Sequence, residues 1–368
     1  MTIVYVYPAL AERGGVERII AEKLNWLSSM FGYHVCLITY NQGQHALSFP
    51  LQPQVQHVDL DVRTHAQYQY SGCRRLYERW RRSRLLRQRL GSELKRLQPD
   101  AVVTTTSGEI GLLLQLKGKA ALVIESHGGY HHLIDYPRLT WRHRWDLHRR
   151  YCLLKRADAV VTLTEADARR WRSGGYVVHA IPNVVHLNES GRCAALEKHR
   201  AIFVGRLAPQ KGIDELAAVW QLVKQNGDDW QLHVYGSGHA GALQQAEGVS
   251  LHEPVADVFP CYQDSSVLLL TSRWEPFGLV VAEAMSCGLP VVAFDTDGPS
   301  SMITDGVDGF IVKNRSIDDF ARRVRELMAD HGLRQQMGQR AIEAARRYKA
   351  ENVMPQWKAF FESITSKS

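Results

Sequence analysis

Short apolar runs alternate with longer amphipathic segments along the whole chain. Runs such as residues 3–7 and 34–39 are continuously apolar and bounded by polar or turn-forming residues, which predicts buried β-strands. Segments such as residues 16–29 and 213–225 carry apolar side chains at helical spacing, which predicts helices between the strands. Further strands are predicted at residues 101–105, 121–125, 159–163, 177–181, 201–204, 230–235, 267–271 and 291–294.

Strands that alternate with helices are typical of parallel sheets covered by helices. The pattern restarts after residues 182–200, so the sequence predicts an α/β protein of two Rossmann-like, doubly wound domains. We predict an N-terminal domain at residues 1–185 and a second domain at residues 198–350. A last helix, at about residues 351–368, is predicted to pack back on the first domain.

Polar residues follow several predicted strands directly. Residues 13–17 follow the first strand, residues 126–129 follow the strand at 121–125, and Gly205 and Arg206 follow the strand at 201–204. Ligands of open parallel sheets bind beyond the carboxyl ends of the strands. If the two domains face each other, these loops therefore line one cleft.

Glu275 and Glu283 lie at the junction of an apolar strand and a helix. Glu275 follows the strand, and Pro276 disfavours helical geometry at Glu275, so the helix is predicted to begin near Leu279 and to end by residues 287–290. Glu283 then lies in the first turns. Two carboxylates that flank the free amides of a helix start suit a polyhydroxylated anion.

Arg206 and Lys211 lie five residues apart, on either side of a proline turn that follows a strand. Arginine offers fixed hydrogen-bond donors and lysine a mobile charge. The pair is suited to neutralising a diphosphate, although two surface cations in a loop would give the same pattern.

The net charge is +7, and the basic excess lies in the first half of the chain. Residues 1–190 hold 26 Lys and Arg against 16 acidic residues, whereas residues 191–368 hold 19 against 22. Much of the excess lies in a predicted amphipathic helix from Arg74 to Arg96 and in a second stretch, residues 138–156. These stretches could be solvated helix faces, a surface for anionic lipid or a phosphorylated acceptor, or a nucleic-acid patch. Nucleic acid is the weakest of these interpretations, because no known binding motif accompanies the charge.

Other features narrow the class of protein. No apolar stretch approaches the length of a membrane span, and the first residues read as a strand and not as a signal peptide. The six cysteines are widely spaced without a paired metal-ligand motif, which favours a reducing, cytoplasmic setting.

Residues 236–241 match a dinucleotide fingerprint, but a lone match is weak evidence. Asp295 and Asp297 resemble a metal-binding pair but follow a late strand, and we expect no metal.

Taken together, these motifs resemble the family 4 retaining glycosyltransferases (glycosyl transferases group 1), over essentially the whole chain. The resemblance implies a GT-B fold, which is two facing Rossmann-like domains with a cleft between them. It implies that Arg206 and Lys211 hold the diphosphate of a nucleotide-sugar donor. Glu283 would bind the nucleotide ribose, and Glu275 would contact hydroxyls of the transferred sugar.

The resemblance assigns further residues to the donor site. The backbone amides of Phe277, Gly278 and Leu279 would complete the cradle for sugar and phosphate. His127 would line the sugar pocket near the anomeric carbon. Gly14 and Gly15 would let the loop of the first domain approach the donor closely.

The resemblance implies a metal-independent hexosyltransferase whose donor is a UDP- or GDP-sugar and whose acceptor is a glycan or a lipid-linked sugar. No enzymic nucleophile emerges, which fits a same-face mechanism with Glu275, His127, Arg206 and Lys211 in the catalytic centre. The implied setting is cell-surface polysaccharide or glycolipid synthesis in the cytoplasm, on the inner face of the membrane. Two alternatives are a nucleotide-sugar epimerase of the same fold and a non-catalytic two-domain binder. Ser301 and Glu253 depart from residues common in the family, which leaves the nucleotide base open.

Overall fold

The computed structural model describes residues 1–11, 14–106, 108–130, 140–225, 227 and 229–366, and for residues 142–144 only the helical backbone. The chain divides into two compact units. The first comprises Met1–Val184 and Val353–Ser368, and the second comprises Val185–Asn352.

In the first unit, the described strands form one parallel sheet in the order β3-β2-β1-β4-β5-β6-β7. Its central strands, such as β1, are buried on both faces, which explains why their sequences are continuous apolar runs. The strands are β1 (Thr2–Tyr7), β2 (His34–Thr39), β3 (Gln56–Asp59), β4 (Ala101–Thr105), β5 (Ala121–Ser126), β6 (Ala159–Thr162) and β7 (Val178–Ala180).

The helices of the first unit connect these strands, and the end of the chain adds one more. They are α1 (Gly15–Phe31), α2 (Gly72–Leu97), α3 (Ile110–Leu116), α4 (Trp141–Leu154) and α5 (Glu165–Ser173), with α12 (Ala350–Thr365) contributed mostly by the end of the chain.

The second unit repeats the plan with a parallel sheet in the order β10-β9-β8-β11-β12-β13. Its strands are β8 (Arg200–Val204), β9 (Gln231–Tyr235), β10 (Val249–His252), β11 (Val267–Leu270), β12 (Val291–Phe294) and β13 (Gly309–Val312). Its helices are α6 (Ile213–Lys224), α7 (Phe259–Gln263), α8 (Leu279–Ser286), α9 (Asp297–Met302), α10 (Ile317–Ala329) and α11 (His331–Ala345).

Both sheets reverse their winding direction at one point. The reversal lies between β1 and β4 in the first unit and between β8 and β11 in the second. The predicted fold class of two doubly wound, Rossmann-like domains is confirmed. Ligands of such sheets bind where the winding reverses, so the loops that follow these four strands are the candidate sites.

Helix α8 begins at Leu279, as predicted. Gly278 caps it in the left-handed conformation, with φ of 84°, which a residue with a side chain rarely adopts. Gly288 ends the segment with φ of 76° before Pro290. The glycines on either side therefore fix the length of α8.

Helix α2 is longer than predicted and packs on the sheet along only half of its length. Leu86, Leu90 and Leu94 are buried, whereas Leu76 and Trp80 are 65% and 57% exposed. The predicted amphipathic helix is thus present, but its apolar side chains join the core of the first unit only in its second half. Within the described ranges, no helix is both long and apolar enough to cross a membrane.

Candidate functional site

The loops that follow β8 and β11 are joined by backbone contacts. Lys211 ends a short 3-10 turn, and Gly212 after it has φ of 64°. A Cβ atom at Gly212 would lie 2.1 Å from the carbonyl oxygen of Thr271, so only glycine fits there. The hydroxyl of Thr271 donates to the carbonyls of Lys211 and Gly212, at 3.0 Å each. These contacts hold Lys211 against the end of β11.

Lys211 and Glu275 form an ion pair at this junction. Lys211 Nζ lies 2.5 Å from Glu275 Oε2, and the two side chains are only 16% and 10% exposed. The hydroxyl of Ser272 donates to the same carboxylate oxygen at 3.1 Å. The structure thus brings together two residues that the sequence analysis assigned to the donor separately, and it adds Ser272, which that analysis missed.

Arg206, the other predicted cation, is exposed at the start of the loop after β8. Among the described residues, its guanidinium has no ion pair and no hydrogen bond. Arg206 is therefore available to an incoming anion, whereas Lys211 is already held by Glu275.

The segment between Glu275 and α8 is fixed by Gly298. The amide of Gly298 donates to the carbonyl of Glu275 at 2.8 Å. A Cβ atom at Gly298 would lie 2.0 Å from the carbonyl oxygen of Phe277. Phe277 is buried edge-on against Tyr348, with ring centroids 5.5 Å apart. Phe277, Gly278 and Leu279 are therefore held in one conformation, and the first amides of α8 lack partners within the helix.

Glu283 lies in the second turn of α8 and is buried, with 7% exposure. The hydroxyl of the buried Tyr262 donates to Glu283 Oε2 at 3.3 Å. Burial, together with the neighbouring charge of Glu283, raises the pKa of Tyr262 well above its usual value, so Tyr262 stays a donor. Tyr262 orients Glu283, and the sequence analysis did not identify it.

Arg315 braces the same loops from the far edge of the sheet. Its guanidinium binds both carboxylate oxygens of Glu215, at 3.0 and 2.6 Å. It also donates to the carbonyls of Thr271 and Ser272, at 3.1 and 3.0 Å. Arg315 therefore ties the first turn of α6 to the end of β11. Sequence spacing gave no sign of this role, because Arg315 lies 100 residues from Glu215.

In the first unit, Gly15 is the first residue of α1 and Gly14 is its N-cap residue, in the connection that follows β1. A Cβ atom at Gly14 would lie 2.1 Å from Glu17 Oε2. The other carboxylate oxygen, Glu17 Oε1, accepts a hydrogen bond from the hydroxyl of Tyr7 at 2.9 Å. A side chain at position 14 would therefore displace the Glu17 carboxylate from this turn. The neighbouring Arg13 of the predicted motif lies outside the described residues.

His127 follows β5 and contacts a buried cluster of charged side chains. His127 Nε2 lies 3.0 Å from Glu125 Oε2, and Lys23 Nζ lies 2.7 Å from Glu125 Oε1. The hydroxyl of Tyr5 also donates to Oε1, at 2.9 Å. Burial favours protonation of Glu125, but Lys23 and His127 outweigh it and lower the pKa of Glu125 to about 2. Glu125 is therefore a permanent anion that fixes the orientation of the His127 ring.

Two sequence features that we discounted have structural explanations. A Cβ atom at Gly236 would lie 1.9 Å from the carbonyl oxygen of Gly205, and one at Gly238 would lie 2.4 Å from that of Leu207. These glycines of the apparent fingerprint serve close packing of two loops. Asp295 accepts a hydrogen bond from Ser300 at 2.6 Å. Over the described ranges, no cluster of three or more His, Cys, Asp or Glu side chains is arranged to hold a metal ion.

Two family models match the chain. The model described as Glycosyltransferase Family 4 matches residues 13–189, and the model described as Glycosyl transferases group 1 matches residues 194–344. The chain is 31% identical to an uncharacterized glycosyltransferase of Haemophilus influenzae over 222 residues, which are 57% of this chain and 62% of that protein. It is 32% identical to the amylovoran biosynthesis glycosyltransferase AmsD of Erwinia amylovora over 218 residues, which are 55% of this chain and 61% of that protein. The matches thus span about three fifths of these relatives.

Solved structures resemble the whole chain. The sucrose-phosphate synthase of Thermosynechococcus elongatus superposes with a TM-score of 0.80 at 18% identity, and the match covers 100% of both chains. The lipopolysaccharide outer core galactosyltransferase WaaB superposes with a TM-score of 0.73 at 19% identity, again over 100% of both chains. Identities this low establish the fold alone. From the two family models and this fold, the chain belongs to the family 4, group 1 glycosyltransferases and has the GT-B fold.

Proposed function

We propose that the chain is a retaining glycosyltransferase that moves a hexose-type sugar from a UDP- or GDP-sugar to a glycan or lipid-linked acceptor. The reaction belongs to the synthesis of cell-surface polysaccharide or glycolipid. The observation that carries the proposal is the ion pair of Lys211 and Glu275 directly before the first turn of α8, whose second turn carries Glu283.

Each member of this constellation suits one part of the donor. Glu283 accepts hydrogen bonds from ribose hydroxyls, and Glu275 accepts them from hydroxyls of the sugar. Arg206 and Lys211 neutralise the diphosphate, and the amides of Phe277, Gly278 and Leu279 add donors where the helix dipole is positive. In this proposal, the two cations and the helix start neutralise the diphosphate, which a metal ion does in other enzymes that use nucleotide donors.

The proposed chemistry breaks the bond between the anomeric carbon and the diphosphate oxygen. Negative charge grows on the diphosphate in the transition state, and Arg206 and Lys211 stabilise it there. The acceptor hydroxyl attacks from the face that the diphosphate leaves, and its proton passes to a phosphate oxygen. The configuration is retained without an enzyme nucleophile. His127, Gly14 and Gly15 are the residues of the first unit that we assign to the donor sugar, on the resemblance to the family.

We further propose that the protein works in the cytoplasm at the inner face of the membrane. The supporting observation is the first half of α2, where exposed Leu76, Tyr77 and Trp80 lie among arginines. Apolar and aromatic side chains mixed with arginine suit an anionic membrane surface. The segment from Arg74 to Arg96 would supply this contact.

The test is release of nucleotide from a panel of UDP- and GDP-sugars, with and without glycan acceptors. We expect one donor to be turned over and Lys211→Ala to reduce its turnover at least 100-fold, because the diphosphate loses its partly buried cation. The control is Lys349→Ala, which removes an exposed lysine of the same unit and is expected to leave turnover within twofold.

Other results would favour the alternatives. Full turnover by Lys211→Ala would refute the assigned site. Isomerisation of the donor sugar without any acceptor would indicate an epimerase, and nucleotide-sugar binding without turnover on any acceptor would indicate a binder. An anomeric configuration in the product opposite to that of the donor, measured by NMR, would refute retention.

A further inference from the structure

The first unit contains a groove between the first half of α2 and the second half of α4. The groove has a volume of about 1100 Å³, slightly more than is usual for small-molecule sites. Its third side is formed by residues 108–112, which follow β4. We call it the arginine groove, and only described residues enter the argument below.

The walls of the arginine groove are strongly cationic. Helix α2 contributes Arg75, Arg79, Arg82 and Arg87. The other wall contributes Arg149, Arg150 and Arg156. Only two carboxylates, Glu109 and Asp146, are among the described lining residues. The groove therefore complements a ligand that carries more than one negative charge.

Two of these arginines hold the helices of the groove in place through hydrogen bonds to the backbone. Arg82 donates to the carbonyls of Val62 and Arg63, at 2.8 and 3.0 Å. Arg150 donates to the carbonyl of Thr106 at 2.5 Å. Both guanidinium groups are thus committed in part to the backbone, which fixes the helices on either side of the groove.

Three other arginines remain available to a ligand. Arg75, Arg79 and Arg149 are exposed, and in the part of the chain that the structure describes none of them has a carboxylate partner. Arg75 lies over the ring of Tyr68 at 4.7 Å, and Arg149 lies 6.0 Å from the ring of Trp145. Stacking on an aromatic ring leaves the edge of a guanidinium free to bind two phosphate oxygens.

The groove also offers hydrocarbon surface. Leucine and isoleucine side chains line it beside the arginines, and Leu76 is 65% exposed there. Trp80, which is 57% exposed, lines a smaller adjoining pocket that shares Leu76, Arg79 and Arg87 with the groove. An inorganic anion would leave this surface in water, whereas an anion attached to a hydrocarbon chain would cover it.

One wall of the groove lies at the same edge of the sheet as His127. This wall, residues 108–112, follows β4, and His127 follows the neighbouring strand β5. The amide of Thr106 donates to the carbonyl of Glu125 at 3.1 Å, which joins the two strand ends directly. A ligand in the groove can thus extend toward the end of β5.

We propose that the arginine groove binds the acceptor and that the acceptor is a sugar carried on a lipid phosphate or diphosphate. This inference rests on the proposed glycosyltransferase function. The arginines bind the phosphate groups, the apolar lining contacts the first part of the lipid chain, and the sugar end lies toward the carboxyl edge of β4 and β5. The groove adds no chemical step; it selects the acceptor class.

The test is calorimetric titration of the full chain with geranyl phosphate, inorganic phosphate and geraniol. We expect geranyl phosphate to bind at least tenfold more tightly than either of the others, because only it has both the charge and the hydrocarbon. The triple variant Arg75→Gln/Arg79→Gln/Arg149→Gln is expected to weaken geranyl phosphate at least tenfold. The control, Lys119→Gln/Arg169→Gln/Lys358→Gln, removes the same charge from exposed positions of the first unit outside the groove and outside the segment from Arg74 to Arg96, and is expected to stay within twofold.

Several outcomes would overturn the proposal. Equal weakening by the two triple variants would mean that net charge alone drives binding. Inorganic phosphate that binds as tightly as geranyl phosphate would exclude the lipid, and a soluble phosphate polymer would then be the better candidate. Thermal unfolding of both variants checks that they are folded. Release of nucleotide from the donor by the unaltered protein, measured without acceptor, tests the glycosyltransferase function separately.

Discussion

Lys23 on α1 and Glu125 at the end of β5 form a buried ion pair, with 2.7 Å between Nζ and Oε1 and side chains only 5% and 3% exposed. The ring of Trp357, on α12, lies over the Lys23 ammonium at 3.9 Å. Three segments that are distant in sequence thus share one charge cluster. The contribution of this cluster to the free energy of unfolding depends on both charged partners, because each buried charge is compensated by the other.

Glu125→Gln is expected to destabilise the first unit by about 3–5 kcal/mol, since Lys23 would stay buried without its counter-charge. The double variant Lys23→Met/Glu125→Gln is expected to regain much of this loss, because no charge remains unpaired. Urea unfolding followed by hydrogen exchange in β1 and β5 measures both. A double variant as unstable as the single one would show that the ion pair is not the cause.

The same pair predicts how stability depends on pH. The pKa of Glu125 is about 2 in the folded chain, against an ordinary value of 4.5. A lowered pKa of a carboxyl group stabilises the fold above the ordinary value, and this stabilisation is lost as the pH falls from about 4.5 to about 2. The shift corresponds to about 3 kcal/mol. The difference in unfolding free energy between the unaltered chain and Glu125→Gln should shrink over this range; a constant difference would contradict the assignment.

Gly298→Ala is expected to disturb the donor site although Gly298 itself is not a proposed donor ligand. The new Cβ atom would meet the carbonyl oxygen of Phe277, so the segment before α8 must move. We expect a loss of about 1–3 kcal/mol in stability and at least fivefold weaker nucleotide binding by calorimetry. Gly332→Ala is the control, because its Cβ atom would meet only the flexible Asp330 side chain at 3.3 Å. If the two variants bind nucleotide equally well, the loop does not depend on Gly298.

Arg315→Lys tests the brace between α6 and β11. Lysine keeps the charge but cannot bind both oxygens of Glu215 and two backbone carbonyls at once. The expected result is a stability loss of about 1–3 kcal/mol and a kcat/KM for the donor at least tenfold lower. Arg322→Lys, at a surface arginine that is 54% exposed, should change neither value. An unchanged kcat/KM in Arg315→Lys would mean that the loop keeps its place without the brace.

The sequence predicted those parts of the fold that depend on local pattern. Buried central strands such as β1 and β12 are continuous apolar runs, and glycine and proline mark both ends of α8. The strands β3, β10 and β13 were not predicted, and all three lie at sheet edges. Gln56–Asp59 and Val249–His252 mix polar with apolar residues and are partly exposed, so they lack the signal of a buried run. Gly309–Val312 is apolar but only four residues long and begins with glycine.

The residues of the candidate site that the sequence analysis named lie in the loops after strands or in the first two turns of α8. Lys211 and Glu275 fall at strand ends, and the resemblance to a family linked them. The residues that orient these groups come from elsewhere: Tyr262 from a short helix, Arg315 from a turn in which its φ is 50°, and Lys23 from the middle of α1. Their roles arise from tertiary contacts over 21 to 102 residues, which spacing along the chain does not encode.

The placement of Trp357 has a consequence for the order of folding during synthesis. Residues 353–368 belong to the first unit, yet the ribosome makes them after the whole of the second. While they are absent, the Lys23 ammonium keeps only the more distant ring of Tyr5, at 6.0 Å, and α1 lacks its contacts with the last helix. The second unit can thus complete its core on the ribosome, whereas the first becomes fully native only after the last helix has been made.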